Sequence, residues 1–217
     1  MSRKTIKGYV LFLFSLFIMG MGISLVTLAY LGTTPITSPP YVLSLSVPVS
    51  FGMLTMLANF VFILIEIILL GKSFPKIQYL QVAVGLILGV SIDFWSYFIV
   101  YIPQPNYFIQ LTMVLLGCIV IAYSTVLQLK AQVVNNPAEG VVKAIAIKTS
   151  KNFGSIKLYF DISLVLIAVI ISISTIGTIN GIGEGTVISA FIIGPLIKMF
   201  QSQKKKSNFL LQNKYHV

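Results

Sequence analysis

Six long apolar segments constrain this chain more than any other feature of its sequence. A helix needs about 20 mostly apolar residues to cross the ~30 Å hydrocarbon layer of a bilayer. Only 9% of the residues are charged and 57% are hydrophobic, whereas soluble domains carry about 25% charged residues. We therefore expect an all-α transmembrane protein, in contact with the lipid bilayer, with spans at 9–31, 51–70, 77–102, 107–129, 158–175 and 185–200.

The basic residues alternate between the segments that connect these spans. Lysine and arginine occur before span 1, between spans 2 and 3, between spans 4 and 5 and after span 6, but not in the other three connections. Basic residues are retained on the cytoplasmic side of the membrane. The pattern predicts a bacterial inner (plasma) membrane protein with both termini in the cytoplasm. It also accounts for the net charge of +10, and we expect no nucleic-acid partner.

The chain contains an internal repeat. The matched pairs, at an offset of 102 residues and then of 105, are Pro35 and Pro137, Phe51-Gly52 and Phe153-Gly154, Asn59 and Asp161, Gly89 and Gly194, Ile92 and Ile197. Each copy holds three spans, an odd number, so the copies enter the membrane from opposite faces. We expect a six-helix bundle of two inverted three-helix repeats, 8–102 and 103–200, between a cytoplasmic N-terminus (1–7) and a basic cytoplasmic tail (201–217). Inverted repeats are a recurrent scaffold of membrane transporters.

Two long connections occupy corresponding places in the repeat, at 36–50 and 137–149. Each follows a proline, which is favourable in the first turn of a helix. The apolar pattern permits either a re-entrant segment or an interfacial helix in each case. These turns supply four candidate pathway residues, namely Thr34, Pro35, Pro137 and Glu139.

The last span is interrupted by Gly194-Pro195 and follows a glycine-rich stretch at 181–186. A helix broken there would leave backbone groups free to contact a substrate, and this makes Gly194 a further candidate. A surface turn followed by a packing kink is the alternative.

Asn59 and Asp161 are the most suggestive polar residues inside the spans. Charged groups near the middle of a bilayer cost about 2.5–3.5 kcal/mol each on insertion scales, so they usually face a partner or a water cavity. Because the two residues match across the repeat, we expect both to line a pathway, with Asp161 handling protons or cations. Pairing of Asp161 with Lys157, one helical turn earlier, is the alternative.

Two other acidic residues lie inside predicted spans, and each permits two interpretations. Glu66 either lines the pathway or extends towards Lys72 or Lys76 at the end of span 2. Asp93 either lines the pathway or belongs to an interfacial aromatic belt with its neighbours Trp95 and Tyr97.

No pattern of catalytic or metal-ligating residues is present. The spans contain no histidine, Cys118 is the only cysteine, and the glycine-rich turn lacks the strand–turn–helix context of a nucleotide site. We predict no enzyme activity, no cofactor and no metal.

Three turns, taken in order, resemble the YczE/YyaS/YitT group of bacterial membrane proteins over about residues 8–200. They are Leu31-Gly-Thr-Thr-Pro35, Pro137-Ala-Glu-Gly140 and the final Gly-rich turn with Gly194-Pro195. Members commonly have an aromatic and an acidic residue soon after the first proline, where this chain has Ile36 and Thr37. The resemblance implies a multi-pass bacterial inner-membrane protein, with an altered activity if those two positions are functional, and it supplies no substrate.

Transport of a small solute or ion by alternating access is the function that these features favour. The rival is a non-transporting membrane module, either a subunit or a regulatory partner of a larger complex. Its partner would be a membrane subunit or a second copy of the chain. The candidate pathway residues are Asn59, Glu66, Asp93, Asp161, Thr34, Pro35, Pro137, Glu139 and Gly194.

Overall fold

The computed structural model describes residues 3–101 and 106–214, with side chains at 6–101 and 106–202. Within these ranges the regular structure is entirely helical. The α-helices are α1 (Arg3–Thr27), α2 (Ser38–Ser44), α3 (Phe51–Leu70), α4 (Gln81–Ile99), α5 (Tyr107–Ala131), α6 (Pro137–Thr149), α7 (Phe153–Ile176) and α8 (Glu184–Lys214). The predicted boundary between the repeats at 102/103 lies outside the described residues, as do 1–2 of the predicted N-terminus and 215–217 of the predicted tail.

Within the described residues, six helical segments are long and apolar enough to cross a membrane. They are Ile6–Thr27, Phe51–Ser73, Lys76–Ile99, Tyr107–Ala131, Phe153–Ile176 and Glu184–Ser202. The prediction of an all-helical chain with six candidate membrane spans is confirmed, an arrangement typical of a multi-pass membrane protein.

Two helix ends differ from their predicted positions because of local backbone interactions. Span 5 begins at Phe153 rather than 158 because the Asn152 side chain caps α7, accepting a hydrogen bond from the Gly154 N–H at 2.8 Å. Helix α1 ends at Thr27 rather than at 31. The backbone soon afterwards adopts positive φ at Tyr30 (60°) and Gly32 (108°), which a continuing right-handed helix cannot accommodate.

The prediction that Gly194-Pro195 breaks the last span is wrong, because α8 runs through Pro195 without interruption. Proline normally disfavours helical geometry at the preceding residue, whose Cβ meets the proline ring. Gly194 has no Cβ, which relieves part of this clash. Pro195 still lacks an N–H, so the carbonyl four residues earlier receives no backbone hydrogen bond from it.

Helices α1 and α5 form the centre of the bundle. A Cβ added at Gly22 would lie 2.9 Å from the Gly117 carbonyl oxygen, and one added at Gly117 would lie 2.8 Å from the Gly22 oxygen. The missing side chains let the two backbones approach closely. Helix α4 packs on α1, and α8 packs on α5.

Each of the two short helices packs partly against the other predicted half. Helix α2 packs against α7 as well as α3, and α6 packs against α3 as well as α7. Val141 and Ala144 of α6 are each only 1% exposed. The apolar face of α6 therefore contacts protein rather than lying on a bilayer surface.

The bundle has two chemically different ends. One end, named here the basic end, holds the start of α1, the turn between α3 and α4, the end of α5 and helix α6. Its elements meet where a Cβ at Gly8 would lie 3.2 Å from the Ala131 carbonyl oxygen, and where the Asn135 N–H donates to the Gln78 side chain at 3.2 Å. At the opposite end the Gly185 N–H donates to the Leu31 carbonyl at 2.7 Å. Ser46 and Thr175 bond there at 2.8 Å.

Candidate functional site

A central cavity of about 210 Å³ is lined by residues of α1, α3, α4, α5, α6, α7 and α8 and of the segment that leads into α2. Its wall is mostly apolar, with a smaller group of polar side chains. The polar lining residues are Thr34, Thr37, Thr55, Asn59, Thr125, Asn136, Glu139, Lys157, Asp161 and Ser189. A cavity of this size holds several water molecules or a small solute.

Most of these polar residues form pairs at the 102-residue offset of the internal repeat. Thr34 corresponds to Asn136, Thr37 to Glu139, Thr55 to Lys157 and Asn59 to Asp161. In each pair both members line the cavity. The first member is uncharged, whereas the second members include every charged residue of the lining.

The neutral side is held by a chain of hydroxyl groups. Thr27 and Thr33 are 2.7 Å apart, Thr33 and Thr37 are 2.9 Å apart, and Thr34 and Thr37 are 2.7 Å apart, all between Oγ1 atoms. The Thr33 N–H donates to the Thr186 hydroxyl at 3.2 Å, which connects this chain to α8. The hydroxyls are satisfied locally, so this side of the cavity is a preformed polar surface.

Lys157 and Asp161 form an ion pair one turn apart on α7, with Lys157 Nζ donating to Asp161 Oδ1. The sequence left open whether Asp161 pairs with this lysine or faces a pathway. Both descriptions apply, because the paired residues line the cavity together.

Glu139 lies near the start of α6, where the central cavity meets a second, polar cavity of about 290 Å³. The two cavities share Thr125, Asn136 and Glu139, and the second extends to Gln128, Gln132 and Lys143 near the basic end. Burial raises the pKa of Glu139; nearby Lys157 opposes this shift and Asp161 adds to it. Glu139 therefore lies where the central cavity meets this second cavity, which is named here the polar entrance.

Asn59, in the middle of α3, is 3% exposed and lines the central cavity. Among the residues with described side chains, none forms a hydrogen bond with its carboxamide. Its side-chain oxygen and nitrogen therefore face the cavity, where water or a small solute can satisfy them.

Two predicted pathway residues lie away from the cavity. Asp93 fastens α4 to the start of α3, accepting hydrogen bonds from Ser50 Oγ at 2.6 Å and from the Gly52 N–H at 2.7 Å. Glu66 is 3% exposed and does not extend towards the lysines at the end of α3. It accepts a hydrogen bond from Gln81 Nε2 at 2.9 Å and lies against Gly140 of α6.

The other predicted positions lie at the cavity or beside it. Thr34, Pro35, Asn59, Glu139, Asp161 and Gly194 line it, and Pro137 is buried between Asn136 and Glu139 at the start of α6. Five further polar residues of the lining were not predicted from the sequence, namely Thr37, Thr55, Thr125, Asn136 and Ser189. The offset of 102 residues could have found three of these, because Thr37, Thr55 and Asn136 are the partners of Glu139, Lys157 and Thr34.

Helices α3 and α4 are in contact at a pair of glycines, whereas α7 and α8, which the repeat predicts to be equivalent, are not in contact at the corresponding glycines. A Cβ added at Gly89 would lie 2.5 Å from the Gly52 carbonyl oxygen, so α3 and α4 touch at these glycines. A Cβ at Gly194 would have no atom within 4 Å, and one at Gly154 would meet only the Asn152 side chain of its own helix. The equivalent glycine pair is therefore apart, towards the basic end.

A family model described as a family of unknown function, DUF6198, matches residues 6–202, and the chain belongs to this family. Searches among curated proteins and among solved structures gave no match.

Proposed function

We propose that this member of the DUF6198 family moves a small solute across the bacterial inner membrane by alternating access. Two inverted halves, 8–102 and 103–200, enclose the central cavity between them. Both termini face the cytoplasm, so the basic end is the cytoplasmic end. The resemblance to the YczE/YyaS/YitT group is consistent with this architecture and forms part of the proposal.

The observation that carries the proposal is the unequal state of two equivalent glycine contacts. Gly52 and Gly89 touch near the opposite end, whereas Gly154 and Gly194 are apart near the basic end. An alternating-access transporter needs two matched gates of which one is closed at a time. We infer that the protein is open to the cytoplasm, through the polar cavity that Glu139 shares with the central cavity.

The arrangement of the helices supports two related halves. Helices α1 and α5 cross at the centre, and α4 on α1 corresponds to α8 on α5. Likewise α2 on α7 corresponds to α6 on α3. The helix caps Ser50 and Asn152 also correspond at the offset of 102 residues. Because α2 and α6 each pack on the other half, a movement of one half is coupled to a movement of the other.

Oxidative cross-linking tests the second conformation. In the closed pair Gly52 lies against Asp93, and the equivalent positions in the open pair are Gly154 and Lys198. We expect the double variant Gly154→Cys/Lys198→Cys, in a Cys118→Ala background, to form a disulfide when the second gate closes. A disulfide requires Cβ atoms about 3.5–4.5 Å apart. Mass spectrometry of the linked peptides in a lipid membrane is the measurement.

The matched control for cross-linking is Gly154→Cys/Gly177→Cys in the same background. These positions lie at the two ends of α7, about 35 Å apart at 1.5 Å per residue, and cannot be linked within one molecule. Linkage of the first pair well above this control supports alternating access. Equal yields for both pairs would contradict it.

Labelling with a membrane-impermeant thiol reagent tests the orientation. Pro48 and Lys151 are exposed at opposite ends of the bundle. In intact cells we expect Pro48→Cys to be labelled and Lys151→Cys to be protected until the membrane is permeabilised. Labelling of both variants in intact cells would contradict the inverted arrangement.

Reconstitution separates transport from the rival function as a subunit or regulatory partner. A transporter alone in liposomes should move solute or dissipate a proton gradient, and Asp161→Asn should impair this activity. A protein that is silent alone and active only with a co-purified membrane partner would favour the rival.

A further inference from the structure

The central cavity contains two polar groups that the protein leaves unpartnered. In the part of the chain with described side chains, the Glu139 carboxylate forms no hydrogen bond and has no basic nitrogen within the 4.0 Å of an ion pair. The Asn59 carboxamide likewise forms no hydrogen bond there. Both side chains line the same cavity, although they come from α6 and α3. A ligand that satisfies both must supply hydrogen-bond donors, since a carboxylate only accepts.

The charge of the cavity also favours a cation. Lys157 and Asp161 neutralise each other within their ion pair. This leaves Glu139 as the remaining charge of the central lining, and Lys143 lines the adjoining polar cavity that Glu139 shares. Burial raises the pKa of Glu139 and so disfavours its ionised form. A positive group bound beside it would favour the ionised form again, since opposite charges attract.

The wall of the cavity indicates an organic cation rather than a bare metal ion. Metal ions such as Ca²⁺ and Mg²⁺ require about six or more oxygen ligands around one point. Among the side chains that the structure describes, no three of the His, Cys, Asp and Glu type form a group. Most of the surrounding side chains are instead apolar, including Met19, Ile23, Phe62, Leu88, Ile193 and Ile197.

The size of the cavity limits the ligand. Its volume of about 210 Å³ is below the roughly 300–1,000 Å³ typical of sites for drug-sized molecules. It fits a short apolar body attached to one charged group. Glu139 lies where the cavity opens into the polar entrance, so the charged group meets its partner upon entering.

We propose that the central cavity binds the protonated amino group of a small organic amine, with the Glu139 carboxylate as counter-ion and the Asn59 carbonyl oxygen as a second acceptor. This inference rests on the proposed function, because it names the class of solute that the same cavity carries.

Calorimetric titration of the full chain in zwitterionic lipid nanodiscs tests the proposal, with empty nanodiscs subtracted. The probes are n-butylammonium, 1-butanol and butyrate, which share a four-carbon body and differ in charge. We expect n-butylammonium to bind at least about tenfold more tightly than the other two, a difference typical of one charge-assisted hydrogen bond. Equal binding of 1-butanol, or preferential binding of butyrate, would overturn the proposal.

Two variants locate the charge contact. Glu139→Gln keeps the shape of the side chain, and we expect it to lower the affinity for n-butylammonium at least about tenfold. Asn59→Ala should lower it by a smaller factor. The matched control is Glu184→Gln, which removes a carboxylate that bonds Tyr107 at the opposite end, and it should leave the affinity unchanged. An unchanged affinity in Glu139→Gln, or absence of binding in the parent protein, would also overturn the proposal.

Failure of the binding test can be distinguished from failure of the cross-linking test. Amine binding in nanodiscs requires the cavity and Glu139 but no movement of α7 against α8. Cross-linking of Gly154→Cys/Lys198→Cys requires that movement but no ligand. Cross-linking without amine binding would therefore remove the solute class and leave alternating access intact.

Discussion

The contact between α3 and α4 and the gap between α7 and α8 involve the same residue types at equivalent positions. Glycines lie at 52 and 89 in one predicted half and at 154 and 194 in the other. Only the first pair touches. Glycine therefore permits close approach of two helices without causing it.

The pair α3 and α4 differs from the pair α7 and α8 in a residue that connects the two helices. Asp93 of α4 accepts hydrogen bonds from Ser50 and from the Gly52 N–H at the start of α3. A carboxylate is favourable at a helix N-terminus, where the helix dipole is positive. The equivalent residue of α8, at an offset of 105, is Lys198. A lysine accepts no hydrogen bond, and its charge would be unfavourable at the start of α7.

Gly52→Ala is expected to have the largest effect on this comparison. Its Cβ would overlap the Gly89 carbonyl oxygen and would lie 2.5 Å from Asp93 Cγ. We expect a loss of about 1–3 kcal/mol in the free energy of unfolding, as for other overpacked contacts. Gly154→Ala at the equivalent position should change it by less than about 0.5 kcal/mol. Denaturant unfolding in lipid-detergent micelles measures both, and equal losses would contradict the difference in contact.

Asp93→Ala should produce the next largest effect, because it removes two hydrogen bonds from the start of α3. Loss of a helix cap costs about 0.5–2 kcal/mol. The same unfolding measurement on Lys198→Ala should reveal no comparable loss. If the two variants were equally stable, the role assigned to Asp93 would be incorrect.

Lys198→Asp is expected to bring α7 and α8 closer together, as α3 and α4 are. A carboxylate at the start of α7 contributes about 0.3–1 kcal/mol through the helix dipole, which shifts an equilibrium about two- to fivefold. A cysteine at cavity residue Thr37 should then react correspondingly more slowly with a reagent supplied from the basic end. Lys198→Ala is the control. A faster reaction in Lys198→Asp would indicate that the gap is not governed by this residue.

The smallest expected change in stability concerns Glu139, whose counterpart at the 102-residue offset, Thr37, carries no charge. Because burial raises the pKa of Glu139, folding favours its protonated form. Its contribution to stability is complete below the ordinary glutamate pKa of about 4.3 and is lost as the pH rises through the raised value. The groups around it are Lys143 on α6, Lys157 and Asp161 on α7, and Glu66 on α3. The change is small because Glu139 still reaches the polar entrance.

Unfolding of the parent protein and of Glu139→Gln across this pH range measures the effect. The stability of Glu139→Gln relative to the parent should rise with pH. A difference that is constant with pH would contradict the raised pKa.

The sequence predicted the membrane class and the number of spans well. Long apolar runs are recognisable one at a time, since transfer into lipid is nearly a sum over the residues of each helix. The prediction failed at Pro195, where a glycine before the proline permits a continuous helix. It also placed the ends of spans 1 and 5 wrongly, since positive φ at Tyr30 and the Asn152 cap are local backbone features.

The candidate site was recognised in part. Asn59, Asp161, Thr34 and Glu139 were selected from the repeat and the turns, and all four line the cavity. Asp93 and Glu66 were selected because acidic residues are rare inside spans. Such a residue can equally serve as a helix cap or bond to a buried glutamine, and the sequence does not distinguish these partners.

The sequence by itself determined that this chain enters a bilayer with six apolar helices, since hydrophobicity acts on each helix separately. Only the tertiary structure decided that α2 and α6 each pack partly against the other predicted half, that Asn59 and Glu139 meet at one cavity, and that one glycine pair touches while its counterpart does not. These outcomes depend on how the helices lie against one another. That arrangement is governed by a few directional contacts, such as that of Asp93, whose energies are small compared with insertion into the membrane.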